Sequence, residues 1–239
     1  MRNYYLTNCL CCGSANLKLV LDLGLQPPAN SYTLTETENV EEYPLGLNLC
    51  ESCWHAQLSF CVDRQEIFGR YAYVSGTSGT LNRFFKWFAM SLAARLPAGA
   101  RVLEIAANDG SLIKEMQAVG IDCVGVDPAR NIVEKARSEG LPIVCDYWPS
   151  ASDQLLGQFD AIVCMNVVAH VDDPKAFIKA CHAKLKPGGV LLIQPSQARM
   201  FGNYEFDTCY HEHISFFNTR SMGILAESVG LKLLATALV

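Results

Sequence analysis

The sequence predicts an α/β fold, a parallel sheet covered by helices on both faces, preceded by a small β-rich metal-binding module. Three observations predict it. From residue 101 onward, apolar runs of strand length alternate with amphipathic runs of helix length, the pattern of strands buried on both faces. The first of these runs passes through a loop of small residues into a helix, a shape that brings a ligand against backbone amides and a helix start. Two Cys-x-x-Cys pairs, Cys9/Cys12 and Cys50/Cys53, stand ahead of that region at the spacing of zinc knuckles.

Composition narrows the function. The 239 residues are 50% hydrophobic and 18% charged, with a formal net charge of −5. That balance excludes general disorder and offers no basic excess for a phosphate backbone, so nucleic acid is not an expected partner. No apolar run approaches the ~18 residues of a membrane helix. The opening MRNYYLTNCLCCGS lacks a signal peptide's apolar region, so a cytoplasmic location is expected. In that reducing compartment the eleven cysteines are not a disulfide framework. Cys61, Cys123, Cys145, Cys164, Cys181 and Cys209 are scattered among apolar residues and read as small core hydrophobes.

The elements follow from punctuation. LKLVLDLGL, YPLGLNLC and HAQLSF are strand-like runs between turn residues, giving a module over 1–64. FFKWFAMSLAARL has helical spacing and stops at Pro97 and Gly99, so 65–98 reads as a helical linker. Residues 99–239 read as one domain: ARVLEIA, IDCVGVD, LPIVCD, FDAIVCMN and GGVLLIQP as strands, with four helices between and after them, and LKLLATALV as a sixth strand.

Each cysteine pair sets two thiolates on one side of a tight turn, and two pairs complete a tetrahedral shell. Four cysteines leave no open position, so the zinc is expected to be structural. His55 reads as a polar surface residue rather than a fifth ligand.

The loop Glu104-Ile-Ala-Ala-Asn-Asp-Gly110 is neither GxGxxG nor a Walker loop. It resembles the acidic-x-G-x-G-x-G pattern of class I S-adenosylmethionine methyltransferases, with Ala106 and Asn108 at two of the glycine places and Gly110 at the third. Asp127, followed by Pro128, ends the second strand, where a carboxylate accepts ribose hydroxyls. Asp146, followed by Tyr147, ends the third and is placed for an adenine amino group. Asn166 ends the fourth. Polar tips at the carboxyl edge of one sheet are what a switch-point site requires. The fold class is therefore a class I methyltransferase Rossmann-like sheet with an N-terminal β-rich zinc-binding module.

FDTCYHEHISFF brings together Tyr210, His211, Glu212 and His213. Histidine suits proton abstraction near neutral pH, and a tyrosine hydroxyl suits a developing enolate. Glu212 orients a histidine or binds substrate. His170 is a second candidate for the same chemistry. Tyr71 and Tyr73 read either as residues closing over the site or as core aromatics of the linker.

Together, CxxCG, LDLGLQPPANSY, CESC, FGRYAYVSG, EIAANDG, GVDPA, the Asn-x-x-x-His segment and FDTCYHEHISFF resemble the zinc-containing sugar C-methyltransferases, which act on nucleotide-linked 4-keto-deoxysugars. The resemblance implies S-adenosylmethionine as cofactor, S-adenosylhomocysteine as product and methyl transfer to C3 of the sugar. It implies His213 as the base, Tyr210, Glu212 and His170 as residues stabilising the enolate or holding the sugar, and Tyr73 as a contribution from the linker. Where that family commonly has an acidic or aromatic strand-five end, this chain has Gln194-Pro195-Ser196.

Two other functions remain open on the sequence: O- or N-methylation of another small metabolite, and a non-catalytic cofactor-binding module. The family continues into a second α/β domain, so the chain is expected to be a fragment of a longer enzyme. Otherwise an oligomer or partner is expected to cover LKLLATALV, because an exposed apolar edge strand invites pairing.

Overall fold

The structure is a computed structural model and describes residues 3–29, 35, 39–68, 74–155, 157–195 and 197–237. In chain order the elements are β1 (Tyr4–Tyr5), β2 (Leu17–Gln26), β3 (Tyr43–Cys50), β4 (Ala56–Leu58), β5 (Phe60–Cys61), α1 (Arg64–Phe68), α2 (Gly79–Ala93), β6 (Arg101–Ile105), α3 (Ser111–Ala118), β7 (Asp122–Asp127), α4 (Arg130–Ser138), β8 (Ile143–Cys145), β9 (Phe159–Met165), α5 (Pro174–Lys184), β10 (Leu185–Gln194), α6 (Arg199–Gly202), β11 (Ser215–Phe216) and α7 (Thr219–Glu227). Among the described residues no helix is long and apolar enough to cross a membrane.

The chain divides into two compact units. One comprises Tyr71–Val167 and Lys179–Gln194. Its sheet has the order β10-β9-β6-β7-β8, and every pairing is parallel. The order reverses at β6: the chain steps outward through β7 and β8, then returns to lay β9 on the other side. That reversal is the switch point at which open α/β sheets bind ligands. Val102, Ala161 and Val163 are wholly buried with Ile113 and Met116 of α3 and Phe85, Ala89 and Leu92 of α2. The last three follow the i, i+4, i+7 stripe of a helix that buries one face. Gly125 of β7 is required by this packing. A Cβ there would lie 2.6 Å from Ile113 Cδ1 and 2.7 Å from Ala107 Cβ.

The other unit comprises Met1–Arg70, Val168–Ile178 and Pro195–Val239. Its main sheet, β11-β4-β3-β2, is antiparallel, and β1 pairs with β5. Leu45, Leu47, Ala56, Leu58, Cys209 and Phe216 form its core. α7 starts on a capping box in which Asn218 accepts from the Ser221 amide and Ser221 Oγ accepts from the Asn218 amide, satisfying two donors that a helix start otherwise leaves open.

Contacts therefore divide the chain differently from boundaries at 64/65 and 98/99. The segment after β10 joins the N-terminal strands, because β11 completes the sheet that β4 begins. LKLLATALV is a correction. Residues 231–237 form no strand, and Leu234 is 78% exposed. An apolar run of this length is ambiguous by pattern alone, and with no strand there the expected apolar edge is absent.

Candidate active site and metal centre

The four predicted metal ligands converge. The sulfurs of Cys9, Cys12, Cys50 and Cys53 all lie within 4.8 Å of one another. Cys9 to Cys53 is 3.5 Å and Cys12 to Cys50 is 3.6 Å. Four thiolates ~2.3 Å from one zinc stand about 3.8 Å apart, so the set fits a tetrahedral ion with little adjustment. Backbone N–H groups of Cys11 and Cys12 serve the Cys9 sulfur, those of Ser52 and Cys53 serve Cys50, and that of His55 serves Cys53. Cys11 is buried beside the cluster without joining it.

His55 corrects the sequence reading. It is fully buried, its Nε2 lies 3.2 Å from Ser215 Oγ, and its ring packs on Phe217. Burial lowers its pKa to about 3, so it is a neutral packing residue.

In the parallel-sheet unit, the loop after β6 takes the conformation its glycine-like pattern demands. Ala106 has φ 62°, Asn108 φ 50° and Gly110 φ 73°, so all three alternate positions are left-handed, the region that favours glycine. At Gly110 an added Cβ would meet Leu141 Cδ1 at 2.4 Å, and α3 begins at the next residue. Asp127 is buried. Its Oδ2 accepts from the Asn108 amide at 2.8 Å and its Oδ1 from the Ala129 amide at 2.8 Å, leaving each oxygen a second lone pair. Burial raises its pKa against the pull of these two bonds. Glu104 is 3% exposed, and its Oε2 has no hydrogen-bond partner. Burial first, then the charges of Asp127 and Asp109, hold its carboxyl well above the usual range.

Asp146 accepts from the Tyr147 amide at 2.7 Å, while Tyr147, Pro128 and Asn166 are exposed. Asn166 has φ 51°, and its amide donates to Gln194 O at 2.8 Å.

Sequence reasoning missed the strap over this loop. The Ser75 amide donates to Asn108 Oδ1 at 2.9 Å, and the Gly76 amide to Asp109 Oδ2 at 3.0 Å. The one available signal was the Ser-Gly dipeptide in YVSG. Tyr71 and Tyr73, just before it, lie outside the described residues.

The other unit holds the histidine cluster. His213 Nδ1 lies 3.0 Å from Thr208 O, and its Nε2 lies 3.2 Å from the Tyr210 hydroxyl. A carbonyl only accepts, so Nδ1 carries the hydrogen and Nε2 holds the lone pair toward the tyrosine. His170 stacks at a tilt on His213, with ring centroids 4.8 Å apart. Burial lowers the pKa of His213 against the Thr208 bond. Burial, then the neighbouring His213, lowers His170 to about 4. His170 also bonds the Glu212 backbone, and Glu212 is half-buried. His211 is a tether: it is buried, its Nε2 lies 3.3 Å from Tyr43 O, and its Nδ1 has no hydrogen-bond partner.

Comparison with known proteins fits both units. A family described as "Methyltransferase domain" matches residues 80–236. The chain belongs to this methyltransferase family. A second family, described as "Putative zinc binding domain", matches residues 9–68, which include all four clustered cysteines. The chain is 27% identical over 233 residues to the C-methyltransferase NovU of Streptomyces niveus, covering 94% of this chain and 56% of that protein. It is 39% identical over 109 residues to a ubiquinone biosynthesis O-methyltransferase of Xanthomonas axonopodis pv. citri (strain 306), covering 43% of this chain and 46% of that one. The chain thus spans about half the length of these curated relatives. A SAM-dependent methyltransferase from Archaeoglobus fulgidus shares the fold, with TM-score 0.52 at 16% identity over 62% of this chain and 68% of its own.

The cofactor of this methyltransferase fold is S-adenosylmethionine, and the residues fit it. A buried carboxyl oxygen without a partner on Glu104 suits a cationic amino group. The left-handed loop brings backbone close to a ligand. The cysteine set fits zinc by donor type and spacing, as a closed site with no position for substrate.

Proposed function

We propose that the chain is an S-adenosylmethionine-dependent C-methyltransferase that methylates the carbon beside a ketone, C3 of a nucleotide-linked 4-keto-deoxysugar. The observation that carries this reading is the state of His213. Its Nδ1 hydrogen is committed to Thr208 O, and its Nε2 lone pair faces the Tyr210 hydroxyl. Likeness to a C-methyltransferase over 94% of the chain, where the O-methyltransferase likeness covers 43%, supports carbon as the acceptor.

S-adenosylmethionine supplies an electrophilic methyl group and leaves as S-adenosylhomocysteine. Glu104, Asp127, Asp146 and Asn166, with the loop from Ala106 to Gly110 and the neighbouring Pro128 and Tyr147, bind and orient it. His213 Nε2 takes the proton from the carbon beside the ketone, and the C–H electron pair moves into the enolate. Once Nε2 is protonated, the Tyr210 hydroxyl hydrogen turns from His213 to the enolate oxygen. His170 and Glu212 hold the sugar, and the linker's Tyr73 joins them. The enolate carbon then forms the new C–C bond.

Incubation of the protein with a nucleotide-linked 4-keto-deoxysugar in D2O tests the reading. Loss of the C3 proton signal without cofactor, and a new carbon-bound methyl with it, is the expected result. An oxygen- or nitrogen-bound methyl on another metabolite would support the second reading, which the O-methyltransferase likeness favours. Turnover with any acceptor eliminates a purely binding role.

A further inference from the structure

β4 is three residues long, yet residues on and beside it touch both cysteine knuckles and the strand that follows His213. Gln57 is fully buried. Its Oε1 accepts from the Leu10 amide at 2.8 Å, and its Nε2 donates to Asn8 O at 3.0 Å. These are the two residues flanking Cys9, so one carboxamide grips the first knuckle on either side of a ligand. The backbone of Gln57 is paired with Ser215, and that of Ala56 with Phe216. The Leu58 amide donates to Ile214 O at 2.9 Å, next to His213.

The second knuckle is tied to the same strands. The Cys50 amide donates to His55 O at 2.9 Å, and His55 Nε2 lies 3.2 Å from Ser215 Oγ. Arg220 donates to Ser52 O at 3.2 Å, and Asn218 Nδ2 bonds Trp54 O. The Arg220 and Asn218 bonds lie at the surface, whereas the others run through wholly buried groups: Gln57, His55, Ser215 and Phe216 are each at 0% exposure. An unmade bond there leaves a desolvated polar atom, so the arrangement is held as a unit.

We propose that Gln57 is a positioning residue that couples the metal-loaded cysteine knuckles to His213, so that zinc acts in the reaction by fixing the base. This rests on the reading of His213 as the base. The metal touches no reacting atom in this scheme. It fixes Asn8 to Leu10, Gln57 fixes β4 to them, and β4 fixes β11 and the ring two residues before it.

The test uses histidine-labelled, zinc-loaded full chain. Gln57→Met keeps the side-chain length and removes both bonds. The His213 C2 proton is assigned by its absence in His213→Asn and followed through a pH titration by NMR. The expected result is one zinc per chain and unchanged S-adenosylmethionine affinity. The His213 midpoint should move up toward an ordinary histidine value, and kcat for proton exchange should fall roughly tenfold to a hundredfold, the scale of a small misplacement of a catalytic group. A wild-type His213 titration in Gln57→Met overturns the coupling. Should that variant fail to fold, zinc is stripped from the wild type with a chelator. The same upward shift, reversed by added zinc, is expected, and a zinc-free protein with unchanged His213 signals overturns the proposal. Absence of proton exchange in the wild type would instead count against the proposed chemistry, leaving the titration to decide the coupling.

Discussion

The hydroxyl of Tyr210 and Nε2 of His213 stand 3.2 Å apart, with the opposite nitrogen of the same ring 3.0 Å from Thr208 O. The carbonyl fixes the tautomer, the tautomer puts the lone pair on Nε2, and the tyrosine is its resting partner. His213→Asn removes that lone pair while keeping a polar group. Proton exchange at the ketone's neighbouring carbon should fall about 10²–10⁴-fold, the contribution of a positioned general base. S-adenosylmethionine affinity, measured by calorimetry, should stay within about twofold. Exchange at the wild-type rate would transfer the role to His170 or a tyrosine.

The depressed histidine pKa values set the direction of the pH response. In the folded chain His170 titrates at about 4 and His213 below its ordinary value, whereas an unfolded histidine titrates near ~6.5. Between those values these two histidines bind more protons in the unfolded chain, so their contribution to stability rises with pH, while the raised carboxyls of Glu104 and Asp127 contribute with the opposite sign. Each fully shifted histidine changes stability by up to ~1.4 kcal/mol per pH unit. The histidine contribution, read as the denaturant midpoint of the wild type relative to His170→Phe, should therefore be level just above about pH 6.5 and fall from there toward pH 4. The acid limb of the proton-exchange rate should lie below pH 6.5, and a limb above that value would mean the base is not a buried neutral histidine.

Asp127→Ala should weaken S-adenosylmethionine binding at least tenfold. A bond to a charged group contributes about 1.5–3 kcal/mol, and the substitution also frees the amides of Asn108 and Ala129. Calorimetry returning the wild-type constant would show that the carboxylate serves the loop alone.

Cys50→Ser should release the metal and loosen the antiparallel unit, since a structural zinc contributes folding energy directly. Metal analysis should give one zinc for the wild type and none for the variant. Amide exchange should accelerate at Leu58 and Phe216, which share the β4–β11 pairing. Retained zinc with unchanged exchange would mean that three thiolates hold the ion.

How far the sequence could be read depends on how local each feature is. The loop at Glu104–Gly110 was legible because its signal, small residues at alternate positions between a strand and a helix, lies within seven residues. The Cys-x-x-Cys pairs were legible because each knuckle is local and only their meeting is not. What escaped was long-range. Gln57 and Ser215 pair across 158 positions, and two-residue strands such as β11 carry no periodicity to detect. His55 read as a surface residue because its burial depends on Ser215 and Phe217, which no local pattern brings to it. LKLLATALV failed for the opposite reason: its local strand signal is strong, and nothing in the described fold pairs with it.

The two non-glycine positions of the left-handed loop after β6 should respond oppositely to glycine. Ala106 and Asn108 both have left-handed backbones, φ 62° and 50°. Alanine gains nothing in return for a conformation that costs an L-residue about 1–2 kcal/mol. Glycine removes that strain and adds part of it back as unfolded-state entropy, about 0.4–1 kcal/mol. Ala106→Gly should therefore be stabilising, by up to about 1.6 kcal/mol. Asparagine tolerates the same backbone, and its Oδ1 holds the Ser75 amide at 2.9 Å. Asn108→Gly relieves little strain and strands that amide, so it should destabilise by about 1–3 kcal/mol and loosen the strap carried by Ser75 and Gly76. Thermal melts of the two variants, with amide exchange at Ser75 and Gly76, check the pair. Equal shifts of the same sign would mean that backbone strain alone decides both positions, and that the Asn108 side chain does not hold the strap.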